Sequence, residues 1–311
     1  MNDRRDFLKR TFGGIALLAL GSTPFDVLAK HELVKITILH TNDVHSRIDP
    51  FPDNDPKFPG MGGVARRASL IRKIRQSEEN VLLLDAGDIF QGTPYFNRYG
   101  GEPELKLMSE MGYDATTIGN HDFDNGIDGL VKQMPNANFP FLNCNYDFSG
   151  TALEQKTIPY KIFHKGGITI GVFGIGIELI GLVDPKMSGG VRYQDPLPLA
   201  IETARKLKTE MQCDLVICLS HLGYRYQEEK ISDELLAKKS EYIDLIIGGH
   251  THTFLDEPVS YRNRAGKETL VAQVGWAGIR LGRIDYYVDI RTRKKNMIGS
   301  SVKITEKTRA I

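Results

Sequence analysis

The sequence predicts an α/β fold with a sheet core and helices packed on it. Three observations lead there. Short apolar runs of four to six residues, rich in Val, Ile and Leu, recur along the chain at the length of buried strands. Between several of them the apolar residues switch to helical spacing. Several runs also stop abruptly in Asp, Asn or His, and ligands of α/β sheets gather beyond strand ends.

The N-terminus stands apart from this pattern. Arg4-Arg5-Asp6-Phe7-Leu8-Lys9 is a twin-arginine pattern, Thr11 to Gly21 is a modest apolar stretch, and Val27-Leu28-Ala29 offers a small residue for cleavage. The expectation is an export signal over residues 1–29, removed near Ala29, followed by one folded domain over residues 30–311. The twin-arginine route carries proteins already folded, so the expected location is periplasmic or otherwise exported.

The first expected strand, Val34–Leu39, runs into His40-Thr41-Asn42-Asp43-Val44-His45. Asp43 and His45 are two apart, a spacing that can put both side chains on one face at a strand end. Asp49–Gly60 is rich in Pro and Asp and reads as a surface loop. Val64–Arg75 has Leu70, Ile71 and Ile74 against basic residues, the pattern of a helix, with Arg66 and Arg67 on a solvated face. The strand Val81–Leu84 leads to Asp85-Ala86-Gly87-Asp88, where the glycine permits a sharp turn. Ala115–Ile118 leads to Gly119-Asn120-His121-Asp122-Phe123-Asp124. Phe139–Leu142 and Ile168–Phe173 are further strands. Leu215–Leu219 ends in Ser220-His221, and Ile243–Ile247 ends in Gly248-Gly249-His250-Thr251-His252. Leu199–Met211 and Ile231–Lys239 read as helices, and Leu270–Val274 and Ile284–Val288 as the last strands. No Gly/Ser-rich or Pro-rich linker marks an internal boundary.

Composition narrows the function classes. A net charge of +1 gives no general case for a nucleic-acid partner. No run of 18 apolar residues suggests a membrane span. Cys144, Cys213 and Cys218 form no Cys-x-x-Cys, and one disulfide among them would be possible without being assignable. Cys218 sits inside an apolar run and reads as a small buried hydrophobe. No Ser or Cys nucleophile is suggested. Five segments ending in oxygen and nitrogen donors can converge only in space, and metal is what such donors would converge on.

The ordered set resembles the calcineurin-like metallophosphoesterases, and within them the catalytic domain of the 5′-nucleotidases. It is carried by Ile36-Thr37-Ile38-Leu39-His40-Thr41-Asn42-Asp43-Val44-His45, Gly87-Asp88, Gln91-Gly92, Gly119-Asn120-His121-Asp122, His221 and Gly248-Gly249-His250-Thr251-His252. It spans about Val34 to Val288. The resemblance implies two stacked mixed sheets flanked by helices, a four-layer αββα sandwich. It implies two divalent ions (Zn, Mn, Fe or Co). One would be held by Asp43, His45, Asp88 and His252, the other by Asp88, Asn120, His221 and His250. It makes His121 the catalytic histidine, oriented by Asp124. Asp85 would be structural and Asp122, a Glu in many relatives, would stand behind the ligands. His252 replaces a Gln found in some nucleotidases.

The activity so implied is hydrolysis of phosphate esters, with nucleotides as the expected substrates, through a hydroxide shared by the ions. Two divalent ions, two carboxylates and that hydroxide would leave a net charge of about +1, suited to a phosphate dianion. The resembling nucleotidases carry a C-terminal substrate domain, and this sequence ends at Ile311 soon after its last expected strand. That domain is therefore expected to be absent. A separately encoded substrate-binding chain is one alternative, with the loop Tyr224-Arg225-Tyr226 read as surface. Sulfur-ester hydrolysis of the thiosulfohydrolase type is another.

Overall fold

The computed structural model describes residues 33–309, so the twin-arginine segment lies outside the described residues. Two six-stranded sheets form the centre. The first runs from edge to edge as β14 (Lys295–Lys303), β13 (Arg280–Asp289), β1 (Leu33–Thr41), β2 (Val81–Asp85), β3 (Ala115–Thr117) and β4 (Phe141–Leu142). The second runs as β11 (Val259–Arg262), β12 (Glu268–Ala272), β10 (Leu245–Gly248), β9 (Leu215–Ser220), β7 (Ile168–Ile175) and β6 (Tyr160–Lys165). A small ribbon pairs β5 (Tyr146–Asp147) with β8 (Arg192–Tyr193). Both large sheets are mixed. In the first, β1 to β4 run parallel and β13 and β14 add antiparallel pairs at one side. In the second, a parallel centre has an antiparallel strand at each edge.

The four layers follow from period-two burial. On β2, Leu82 and Leu84 face the core between the sheets, while Val81 and Leu83 face the outer core. On β9, Leu215, Ile217 and Leu219 face inward, while Val216 and Cys218 meet the other outer layer. Strands buried on both faces must be apolar throughout, which is why these runs are so visible. The helix Val64–Ser77 lays Leu70, Ile71 and Ile74 on the first sheet. The helices Pro196–Arg205 and Asp233–Lys239 lay Ala200, Ala204, Leu236 and Ala237 on the second.

All nine expected strands are present, with ends displaced by a few residues. The expected helix Leu199–Met211 starts at Pro196 and passes into a π-turn at Lys206–Glu210. Two readings of surface residues need correction. Arg67 is buried rather than solvated, and packs over Gly278, where a Cβ would come within 1.9 Å of its Nη1. Tyr224 is buried too, its hydroxyl bonded to that of Tyr261 at 2.8 Å. The three cysteines are free thiols, and Cys218 is buried as expected. No helix among the described residues is long and apolar enough to cross a membrane.

Candidate metal centre

Parallel register brings the strand ends together. Thr41 on β1 sits opposite Asp85 on β2, and Ser220 on β9 opposite Gly248 on β10. Past the strands the first two loops stay zipped. The Asp43 amide donates to the Gly87 carbonyl at 2.9 Å, and the His45 amide to the Asp88 carbonyl at 3.1 Å. Asp43 and His45 therefore lie beyond β1, not on one of its faces, and a different device brings them together. Both have φ of 50°, Asp88 has 54°, His250 71° and His252 52°. Left-handed backbone is costly for residues with a Cβ, and its concentration on these positions marks the site. Gly87 is required by contact as well as by φ. A Cβ there would meet the Gly119 nitrogen at 2.7 Å.

Two trios of side chains converge. Asp43, His45 and His252 form one, and Asp88, His221 and His250 form the other. The Nε2 atoms of His45 and His252 are 3.0 Å apart, and His252 Nε2 is 3.4 Å from Asp43 Oδ1. Asp88 Oδ2 lies 3.1 Å from His221 Nε2 and 3.8 Å from His45 Nε2, between the trios. Asn120 joins the second trio, its Oδ1 2.8 Å from His250 Nδ1. All seven residues singled out from the sequence as ligands are thus in one place.

Backbone carbonyls set the histidine tautomers. His45 Nδ1 donates to Phe90 at 3.1 Å and His221 Nδ1 to Ala86 at 2.7 Å, leaving each Nε2 with a lone pair to offer. His221 Nε2 is buried, and among the described residues it faces Asp88 Oδ2 at 3.1 Å without a well-aligned hydrogen bond. Among the described residues the ion pairs of Asp43 and Asp88 are with histidines. Burial disfavours the charged form of His221, but Asp88 and Asp43 outweigh it and hold its pKa up at about 10. Burial likewise pushes Asp88 up, yet His221 and His45 hold it well below the carboxylate range. His45 is lowered, chiefly by burial, and burial with the nearby His221 lowers His250 to about 4. A divalent cation beside these atoms would answer the same field and release the His221 proton. Two buried carboxylates, four convergent imidazoles and an amide oxygen fit divalent ions with nitrogen and oxygen preference.

His121 stands beside the trios rather than in them. Its amide donates to Asp88 Oδ1 at 2.8 Å, and its Nδ1 donates to Asp124 Oδ2 at 2.8 Å. The bond to Asp124 raises its pKa, against burial and with help from Asp88. Nε2 is the nitrogen left to hold or deliver a proton. The short 3-10 turn His121–Phe123 lets one loop supply both Asn120 and His121.

Three supporting residues carry more than the sequence suggested. Asp122 accepts from the amides of Asp88, Ile89, Phe90 and Gly119, fixing the turn that aims Asp88. The Asn42 side chain donates to Asp43 Oδ2 and to the Gly275 carbonyl, and accepts from the Val274 amide. Buried Gln273 accepts from the Thr253 amide and donates to the Gly249 carbonyl, clasping the loop that carries both His250 and His252. Asn42 lay in view inside the first motif; Gln273, at the end of an apolar run, had no signal beyond being polar there. Asp85, bonded to Thr41, Thr116 and the Gly87 amide, is structural as expected.

Residues 36–254 match the family of the calcineurin-like phosphoesterases. The chain belongs to that family. Within it, the chain is 34% identical over 290 residues to the snake venom 5′-nucleotidase of Gloydius brevicauda, covering 86% of this chain and 47% of that protein. It spans about half the length of the curated relatives it matches. The 5′-nucleotidase precursor of Thermus thermophilus superposes with a TM-score of 0.80 at 30% identity, over 88% of this chain and 55% of that one. The sulfate thiohydrolase SoxB of the same organism shares the fold, with a TM-score of 0.70 at 20% identity over 88% of this chain and 57% of that one. As a calcineurin-like phosphoesterase the chain has the two mixed sheets flanked by helices that its sequence led one to expect.

Proposed function

We propose that this chain is a two-metal phosphoric ester hydrolase acting on nucleotides or related phosphate esters. The observation that carries the proposal is that Asp88, a member of one three-residue donor group, also reaches His45 of the other, with the His121–Asp124 pair alongside. The likeness to 5′-nucleotidases supports the substrate class. Asp43, His45, Asp88 and His252 would hold one ion, and Asp88, Asn120, His221 and His250 the other. Two divalent ions there would supply Lewis acidity toward the phosphoryl oxygens and an activated water. Asp88 would serve both ions, and Asp122 fixes Asp88 through the amides of its turn. Asp124 holds the His121 ring and favours its charged form. His121 then delivers a proton from Nε2 to the departing oxygen, or donates to a phosphoryl oxygen.

The test is purified protein loaded with Mn²⁺ or Zn²⁺ and assayed on p-nitrophenyl phosphate, bis-p-nitrophenyl phosphate and nucleoside monophosphates. Hydrolysis of monoesters is expected, and no turnover of any of them with metal bound would sink the proposal. A second reading has a specific observation behind it: relatives are about twice as long as the matched region. In that reading, recognition of the leaving group comes from a domain or chain outside these residues. Silence on every ester, restored by adding such a partner, would favour it. Export is also proposed, over residues 1–29. Arg4→Lys with Arg5→Lys should leave the protein in the cytoplasm, and normal export of the double variant would refute that assignment.

A further inference from the structure

Trp276 touches the metal centre from a side that no motif announces. It is the only tryptophan in the chain. Its ring lies almost parallel to that of His252, with an interplanar angle of 8° and centroids 5.6 Å apart. His252 has particular need of such support. His45 and His221 are buried and tied through Nδ1 to backbone carbonyls. The His252 side chain is 39% exposed, and its one hydrogen-bond contact among the described residues is Nε2 against His45 Nε2. Neither burial nor a second hydrogen bond fixes its ring.

The Trp276 face is itself fixed. Phe51 and Phe58 meet it edge-on, at centroid distances of 5.8 and 6.3 Å. The backbone on either side is bound to both segments of the His252 trio. The Gly275 amide donates to the Thr253 carbonyl, and the Ala277 amide to the Asp43 carbonyl at 2.7 Å. A rigid aromatic plane thus stands against the one loosely held imidazole, anchored to the same loops that carry the imidazole and its carboxylate partner. We propose that Trp276 is a positioning residue that holds the His252 ring in the orientation completing the Asp43–His45–His252 ion site. The inference rests on the two-ion reading given above. In outline, the aromatic face takes the part that a carbonyl takes for His45 and His221.

The experiment compares Trp276→Phe and Trp276→Leu in the full chain, with Mn²⁺ as the probe in equilibrium dialysis. Leu keeps apolar bulk and removes the flat face; Phe keeps both. In Trp276→Leu one of the two Mn²⁺ ions should bind about 3–10-fold more weakly, the worth of one aromatic stack, with the other unchanged. Trp276→Phe should stay within about twofold of the unsubstituted protein at both. In the unsubstituted protein, emission from Trp276 should change in step with the ion that the Leu variant binds weakly. Equal binding of both ions by all three proteins would overturn the inference, as would weakening of both ions alike. A thermal midpoint lowered equally in Phe and Leu, with metal binding following it, would show packing alone and overturn it too. An unsubstituted protein that saturates below two Mn²⁺ per chain would instead sink the two-ion reading, and this inference with it.

Discussion

The two ends of the candidate metal centre are built differently. At the His221 end, the ring follows directly from β9, is wholly buried, and is held by the Ala86 carbonyl. Its neighbour His250 is bonded to Asn120. At the His252 end, the ring is more than a third exposed and lies against an aromatic cluster fed by the loop Asp49–Gly60. The difference teaches that one fold offers two kinds of support for a ligand. Strand ends and backbone carbonyls fix the deep side, and stacked rings on loops fix the shallow side. In the two-ion reading, the deep ion should be the tightly held one and the shallow ion the exchangeable one.

The largest effect expected is on the group common to both ends. Asp88→Asn should cut ion content below two per chain and lower kcat by roughly 10⁴ or more, since several kcal/mol of charge stabilisation go with the ions. Elemental analysis with steady-state kinetics checks it. Two ions retained with full activity would erase the distinction between a shared carboxylate and its neighbours. Next comes His121→Ala, which should keep both ions while kcat falls by roughly 10²–10⁴. The loss should be smaller for p-nitrophenyl than for alkyl phosphates if Nε2 protonates the leaving oxygen, and Asp124→Asn should give a milder form of the same defect. Metal loss in His121→Ala would place that ring among the ligands. Asn42→Ala separates the ends directly. It removes the side-chain donor to Asp43, whose carboxylate keeps the His250 amide, and breaks no bond to a side chain of the second trio. The affinity of the shallow ion should therefore fall by about 10–100-fold, with the deep one unchanged. The mildest test uses a chelator on the unsubstituted protein. Ions should leave in two phases, the first with a change in Trp276 emission and the second without.

Much of this was legible in the sequence, for a physical reason. Central strands covered on both faces must be continuous apolar runs, and ligands at their ends must be unlike what precedes them. Runs such as Leu215–Leu219 before His221 therefore announced both strand and site. Strands with one wet face were silent. β6, β11 and β14 alternate partly buried with exposed residues and include Lys, Arg, Ser or Asn, so no apolar run marks them. The helix Glu102–Met111 went unread too; its buried Leu105, Met108 and Met111 are spaced three apart but interleaved with Glu, Lys and Ser. Arg67 was misread because a basic residue on a helix is ordinarily solvated, and only the fold brings Gly278 beneath it. Trp276 and Gln273 lay beyond the motifs altogether. Their parts depend on loops more than 20 residues distant in sequence, and no local pattern encodes that.

The left-handed backbone at Asp43, His45, Asp88, His250 and His252 has a consequence for selection. Each such residue holds a conformation that glycine would adopt at about 1 kcal/mol less. At His252, the ring of the five with least else to hold it, the residue best for folding is therefore not the residue present. A screen rewarding heat resistance alone should drift toward glycine there, and would discard that donor before it touched either sheet. Hardier and inert variants would lie a single substitution away, and only a requirement for turnover would keep the chain from reaching them.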